Sequence, residues 1–396
     1  MNGNLGDVGS PAQATSYEYD TLDNLIHIIQ GAQHRYFRYD SLARLTHERQ
    51  VEQDAPWTTA DYVAGNNQWS RKIIYNSHSL IQDAYDARQA RTNFVYDGLN
   101  RVKEIHYFGA NGQPDPATPD AFYWYDAQTL PTGAPSFDRG YSTGRLVGMT
   151  YGGTSANPNP TGNYFGFDKM GRVERQRQVT GTTTYALSYT YNLASQLTSE
   201  AYPSSRVISH GYDEAGRLSQ VSEGSTVYAN GFAYQPHGGL SSETFGNGMV
   251  HSLAYNRRLQ PSEVKLKQSV GGTELQRYNY AYGSVNQTDG SIDTTKNNGQ
   301  IGRIDGFING AKQWDQRMSY DSIGRLSTAG EYRGDNGLQS WQTQYTFDRY
   351  GNRFQSGSGN AGVNYVPVVS GDIDANRNRF ISTGATPTTY DAHDRR

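Results

Sequence analysis

The chain contains no cysteine. Disulfides, thiolate chemistry and Cys-based zinc sites are excluded together. Aliphatic mass is also scarce: Leu, Ile, Val and Phe make up about 17% of the 396 residues, a level that accompanies disorder when net charge is high. The formal net charge is only -3. A chain so close to neutral has no global field for nucleic acid or acidic lipid, so neither is expected as a partner. No apolar run reaches the roughly 18 residues of a membrane-spanning helix. The stretch Met1 to Ala14 lacks a basic segment followed by an apolar one, so no signal peptide is expected there.

What replaces the aliphatics is aromatic. The chain has 31 tyrosines and 44 glycines, and 12% of it is Phe, Trp or Tyr. Disordered chains are poor in aromatics, so the chain is expected to fold. Tyrosine favours strands, and abundant glycine disfavours helices and marks turns.

Internal repetition dominates the sequence. Tyr212-Asp213-Glu214-Ala215-Gly216-Arg217-Leu218 recurs as Tyr320-Asp321-Ser322-Ile323-Gly324-Arg325-Leu326. Close relatives are Phe167-Asp168-Lys169-Met170-Gly171-Arg172-Val173, Tyr96-Asp97-Gly98-Leu99-Asn100-Arg101-Val102 and Tyr39-Asp40-Ser41-Leu42-Ala43-Arg44-Leu45. Degenerate copies start at Tyr19, Tyr75, Tyr191, Tyr234, Phe347 and Tyr390. Between positions 167 and 255 the copies follow one another every 21–24 residues, a spacing typical of repeat architectures. Longer gaps, as from Tyr39 to Tyr75 and from Tyr282 to Tyr320, read as loop insertions.

Each copy is expected to be a β-hairpin. The approach strand alternates with period two, as in Tyr185, Leu187, Tyr189 and Tyr191. Asp opens a type I turn, where its carboxylate can accept local backbone N–H bonds. Gly, or Asn100, follows three residues later, where positive φ is needed. Arg then stands near the hairpin neck, close enough to offset the Asp charge, and Leu or Val restarts the apolar face. Turn chemistry alone accounts for the Asp and Arg, which are therefore read as structural. The expected fold is all-β: tandem antiparallel β-hairpins in one continuous array over residues 1–396, forming a curved or spiral sheet. Large insertion loops are expected at Gly109–Arg139 and Asn286–Gly299.

The Tyr-Asp-x-x-Gly-Arg-Leu copies resemble the YD repeats of bacterial Rhs proteins, of the C components of insecticidal Tc toxins and of animal teneurins. The resemblance runs from about Gly3 to the last residue. It implies hairpins joined edge to edge into a hollow shell, one that encloses a polypeptide cargo such as a toxin or, in teneurins, serves cell-surface adhesion. It further implies a secreted or cell-surface location and a non-catalytic, structural role. Its site residues are those that define the repeat: Tyr39 and Asp40; Tyr96 and Asp97; Phe167, Asp168, Gly171 and Arg172; Tyr212, Asp213, Gly216 and Arg217; Tyr320, Asp321, Gly324 and Arg325. The family's self-cleaving segment, Asp-Pro-x-Gly-Leu, is not matched. The one Asp-Pro, Asp115-Pro116, is followed by Ala117 and Thr118, so self-cleavage is not expected, nor is a toxin domain.

The two ends are complementary. Gly3-Asn4-Leu5-Gly6-Asp7-Val8 matches a return strand, and Tyr390 to Arg396 matches an approach strand and turn. Either this is a piece of a longer shell, or copies join head to tail into a fibre by completing one another's hairpins.

Other motifs carry less. Gly357-Ser358-Gly359-Asn360-Ala361-Gly362 fits G-x-G-x-x-G, but a β-like, proline-interrupted segment follows instead of a helix. Asp372, Asp374, Asn376 and Asn378 space oxygens like a calcium loop, but Arg377 stands where the turn glycine belongs and no Glu closes the loop. An Asx-rich turn is the simpler reading, and no metal or cofactor is expected. The histidines form no H-E-x-x-H pair and no G-x-S-x-G elbow exists; His210 and His251 sit on strands beside Tyr212 and Leu253. Trp57, Trp69, Trp124, Trp314 and Trp341 could pack within the sheet or stack on glycans.

Overall fold

A computed structural model of the chain describes residues 14–51, 69–356, 373–374 and 378–380. The expected return strand at Gly3–Val8, the G-x-G-x-x-G stretch, Trp57, most of the Asp372–Asn378 loop and the segment from Tyr390 lie outside them.

The regular secondary structure of the described residues is nearly all strand. A short 3-10 turn, Thr294–Lys296, is the helical exception among them. Twenty-six strands belong to one antiparallel sheet, made by strands that pair with their sequence neighbours. Such up-and-down pairing is what short turns between alternating segments produce. The chain packs as two compact units, Met1–Ser188 with Gly371–Arg396, and Tyr189–Ser370.

The hairpin of Val207–Tyr212 with Leu218–Glu223 is representative. Asp213 N–H donates to the Arg217 carbonyl at 2.8 Å, and Gly216 N–H donates to the Asp213 carbonyl at 2.9 Å. This is a type I turn followed by a left-handed residue, the three-residue hairpin loop with a bulge. The bulge appears as a register shift that sets Tyr212 opposite Leu218. Within each unit such turns alternate with plain ones, so the Tyr-Asp turns gather along one edge of the sheet.

The left-handed position is occupied by Gly216 (φ 75), Gly324 (φ 87) and Gly171 (φ 80), and also by Asn100 (φ 62), Ala43 (φ 57), Ser79 (φ 63) and Leu259 (φ 62). Degenerate copies therefore keep the turn while losing its glycine.

The core is thin and aromatic. In the first unit Tyr36, Trp69, Ala121, Phe122, Val147 and Tyr164 are buried. In the second the buried set is small, Ile208, Tyr332 and Phe354, and it is joined by the charged Asp305, Asp315 and Arg317. Elsewhere alternation is visible as burial: Thr183–Tyr191 exposes every second residue along its later half. The stretch 109–139 contains a strand, Ala121–Tyr125. The stretch 286–299 contains the 3-10 turn and the strand Ile292–Asp293, which pairs with Ser284–Val285.

Leu259 is 58% exposed, so its side chain gains little from burial. A non-glycine residue in the left-handed region costs about 1–2 kcal/mol, and glycine returns about 0.4–1 kcal/mol through the unfolded chain. Leu259→Gly is expected to stabilise by about 0.5–1 kcal/mol, and Gly216→Ala to destabilise by about 1 kcal/mol. Urea-unfolding midpoints of the two variants check this; shifts of the same sign would contradict it.

Candidate functional site

The Tyr-Asp edge is where residue chemistry concentrates. It is built in three steps, from the turn outward.

The first is the aspartate. Asp213 Oδ1 accepts from Ala215 N–H at 3.0 Å and Arg217 N–H at 2.8 Å. Its Oδ2 accepts from Arg217 Nε at 2.8 Å. Asp40 is bound the same way by Leu42 and Arg44, Asp97 by Leu99 and Arg101, Asp168 by Met170 and Arg172, and Asp321 by Ile323 and Arg325. One carboxylate thus closes the turn with one oxygen and fixes the arginine with the other.

The second step is the arginine. Held flat by its aspartate, it lies over the aromatic ring that opens the next copy. Arg44 covers Tyr75 at 4.5 Å, Arg101 covers Tyr125 at 4.2 Å, Arg217 covers Tyr234 at 4.8 Å and Arg325 covers Phe347 at 4.3 Å. Such stacking contributes about 0.5–1 kcal/mol at exposed sites. The same position also reaches the next turn: Arg44 donates to Ser79 Oγ at 2.9 Å, and Gln300 donates to the Gly324 carbonyl at 2.8 Å.

The third step is the tyrosine hydroxyl. It donates to the carbonyl of the residue that restarts the strand in the preceding copy. Tyr75 reaches Leu45 at 2.8 Å, Tyr96 reaches Ile81 at 2.7 Å and Tyr125 reaches Val102 at 2.9 Å. Tyr212 reaches Leu197, Tyr234 reaches Leu218, Tyr255 reaches Leu240, Tyr282 reaches Pro261 and Tyr320 reaches Ile301, all within 2.7–2.9 Å. Phe167 and Phe347 carry no hydroxyl and so lack this bond. Burial raises the hydroxyls of Tyr96, Tyr125, Tyr234, Tyr282 and Tyr320 above the ordinary tyrosine range.

The Asp and Arg of a single hairpin are legible in the sequence, but the forward contacts are not, since they join partners 15 to 35 positions apart. The sequence also conceals a copy. Asp126 N–H donates to the Arg145 carbonyl at 2.9 Å, and Gly144 N–H donates to Asp126 Oδ1. Tyr125-Asp126 and Gly144-Arg145-Leu146 are therefore one repeat split by an insertion between its Asp and its Gly. The isolated Gly-Arg-Leu triplet was the available signal.

Among the described residues no group of three His, Asp or Glu side chains converges to hold a metal. Asp115 is engaged in its own turn by Ala117 N–H and Thr118 Oγ1. His251 pairs with Glu243 at 3.0 Å across strands, and His210 Nδ1 is buried. Trp69 is buried; Trp124, Trp314 and Trp341 are half-buried. No helix among the described residues is long and apolar enough to cross a membrane.

The fold is similar to solved Tc toxin structures. A Photorhabdus luminescens Tc holotoxin pore matches with a TM-score of 0.58 at 15% identity, over 96% of this chain and 20% of that one. A TcdB2–TccC3 structure matches with a TM-score of 0.53 at 15% identity, over 87% of this chain and 19% of that one. A TcdB2–TccC3 structure without its hypervariable C-terminal region gives the same values. The chain spans about a fifth of the length of these proteins. No family model and no curated protein matches the sequence.

The turn aspartates set an acid limit. The Arg44 side chain holds Asp40 below the usual carboxylate range, and the Arg217 backbone and side chain do so for Asp213. Burial pushes Asp97, Asp168 and Asp321 upward, but their arginine partners outweigh it and their pKa values also fall. A carboxyl lowered on folding stabilises above its unfolded value, near 3.9, and loses that contribution as pH falls through the folded value. The thermal midpoint followed by circular dichroism is expected to be level down to about pH 5 and to fall steeply below about pH 4. A level midpoint to pH 3 would contradict this.

Proposed function

We propose that the chain is a non-catalytic structural segment of a Rhs-type shell, one continuous hairpin array that encloses or displays a polypeptide cargo in a secreted or cell-surface setting. The observation that carries this reading is the likeness to the Tc holotoxin fold over 96% of the chain. Its fit to TcdB2–TccC3 is unchanged when that protein's hypervariable C-terminal region is absent. The likeness therefore does not depend on that region. The chemistry of the edge agrees, because its charged groups are consumed in joining one hairpin to the next.

A thin sheet with little aliphatic core suits a wall. Half-buried tyrosines can face a cavity without aggregating, since each combines an apolar ring with a polar tip. The repeat-defining residues, from Tyr39 and Asp40 to Gly324 and Arg325, then serve as the joints of the wall.

Electron microscopy of the protein, expressed from its whole native reading frame, tests the proposal. A hollow body is expected. A solid particle, or head-to-tail fibres of this chain, would overturn it.

A further inference from the structure

The repeat tolerates insertions at either end of a hairpin, and in the first unit two of them flank the same strand. Leu146–Tyr151 follows the insertion that splits the Tyr125 repeat. It precedes a small hairpin, Gly153–Thr154 with Asn157–Pro158. Both insertions fold over one face of the sheet. Leu130, from the first, packs against Gly148 beside Trp124; a Cβ on Gly148 would stand 3.2 Å from Leu130 and 3.5 Å from the indole. Ser155, at the tip of the second, donates its hydroxyl to Glu104 Oε2 at 2.6 Å.

Between them lies a cleft of about 230 Å³, bordered by Glu104, Phe122, Trp124, Gln128, Thr129 and Ser155. Pockets for drug-sized ligands run from about 300 to 1,000 Å³, so this one is sized for a single small ring. Phe122 and Trp124 form its apolar wall, their ring centroids 6.3 Å apart. Glu104 is 7% exposed. Its charge is already compensated: Lys103 Nζ is 2.9 Å from Oε1, and His106 Nε2 is 3.1 Å from Oε2 and held by Asp120 at 2.7 Å through Nδ1. Burial would raise this carboxyl, but Ser155 and Lys103 outweigh it and it stays ionised. Ser155 is bonded to the carboxylate and not to the imidazole, so it is not arranged as a nucleophile.

A cation would meet the Lys103 ammonium at this carboxylate, and an anion would meet the carboxylate itself. The polar groups suit a neutral ligand rich in hydroxyls. Gln128 uses its carbonyl on Tyr125 N–H at 3.0 Å, which leaves its amide N–H groups for a ligand. The Thr129 and Ser155 hydroxyls border the same space. We propose that this cleft is a binding subsite for one neutral pyranose ring of a glycan, stacked on Trp124 and hydrogen-bonded by Gln128, Thr129 and Glu104.

Saturation-transfer NMR on the full chain with methyl glucoside, methyl galactoside and methyl N-acetylglucosaminide tests it. Transfer to the ring protons of at least one of them is expected. It should fall at least fivefold in the double variant Gln128→Ala/Thr129→Ala, whose exposed positions leave the sheet intact, and in Trp124→Leu. Absence of transfer from all three sugars would overturn the proposal, as would transfer unchanged in the double variant. Displacement of the sugar signal by N-acetyltyrosine amide at equal concentration would assign the cleft to a peptide side chain and would overturn it too.

Discussion

The structure depends on one hydrogen bond that is repeated along an edge: a tyrosine hydroxyl donating to the carbonyl that opens the previous return strand. A two-stranded hairpin is marginal alone in water. Ladder bonds between neighbouring hairpins supply cohesion, but they leave the register open wherever both faces are half-exposed. The tyrosine removes that freedom. A shift of register would take its hydroxyl away from the one carbonyl within reach, and would take its ring from under the arginine. Asp, Gly and Arg are means to this end. The aspartate closes the turn and holds the arginine flat, the left-handed residue lets the turn close, and the arginine covers the next ring.

The arrangement also explains why so little aliphatic mass suffices. Cohesion is distributed along the edge in small polar and cation–π contributions instead of being concentrated in a core. Regularity in the joints then frees the rest of the hairpin to vary. Insertions enter between Asp126 and Gly144 and between Tyr282 and Ile301 without loss of the flanking pairing. Function can be added at such places while the scaffold stays fixed. In the second unit the insertion 284–299 is anchored by Arg317, whose guanidinium donates to the Gln287 and Thr288 carbonyls at 2.8 and 2.9 Å. In the first, insertions roof the cleft over Trp124.

Much of the fold was legible in the sequence, for a physical reason. Turn chemistry is local, so Asp213, Gly216 and Arg217 announce their hairpin within seven residues. Alternation, also local, announced the strands. What was not legible depends on partners brought close only by pairing. The bond from Tyr255 to the Leu240 carbonyl uses a backbone acceptor that leaves no trace in side-chain identity. The split repeat hid because its halves, Tyr125-Asp126 and Gly144-Arg145-Leu146, fit no fixed spacing. The cleft at Glu104 was invisible because His106, Asp120 and Ser155 come from a strand and two connecting segments.

The most direct test of this account is a double-mutant cycle between successive copies, with Arg217→Gln and Tyr234→Leu singly and together, by urea unfolding. If the arginine of one copy and the ring of the next act as one joint, their effects will couple by about 0.5–1 kcal/mol. Strictly additive effects would show that the arginine and the next ring do not act as one joint and would contradict the account.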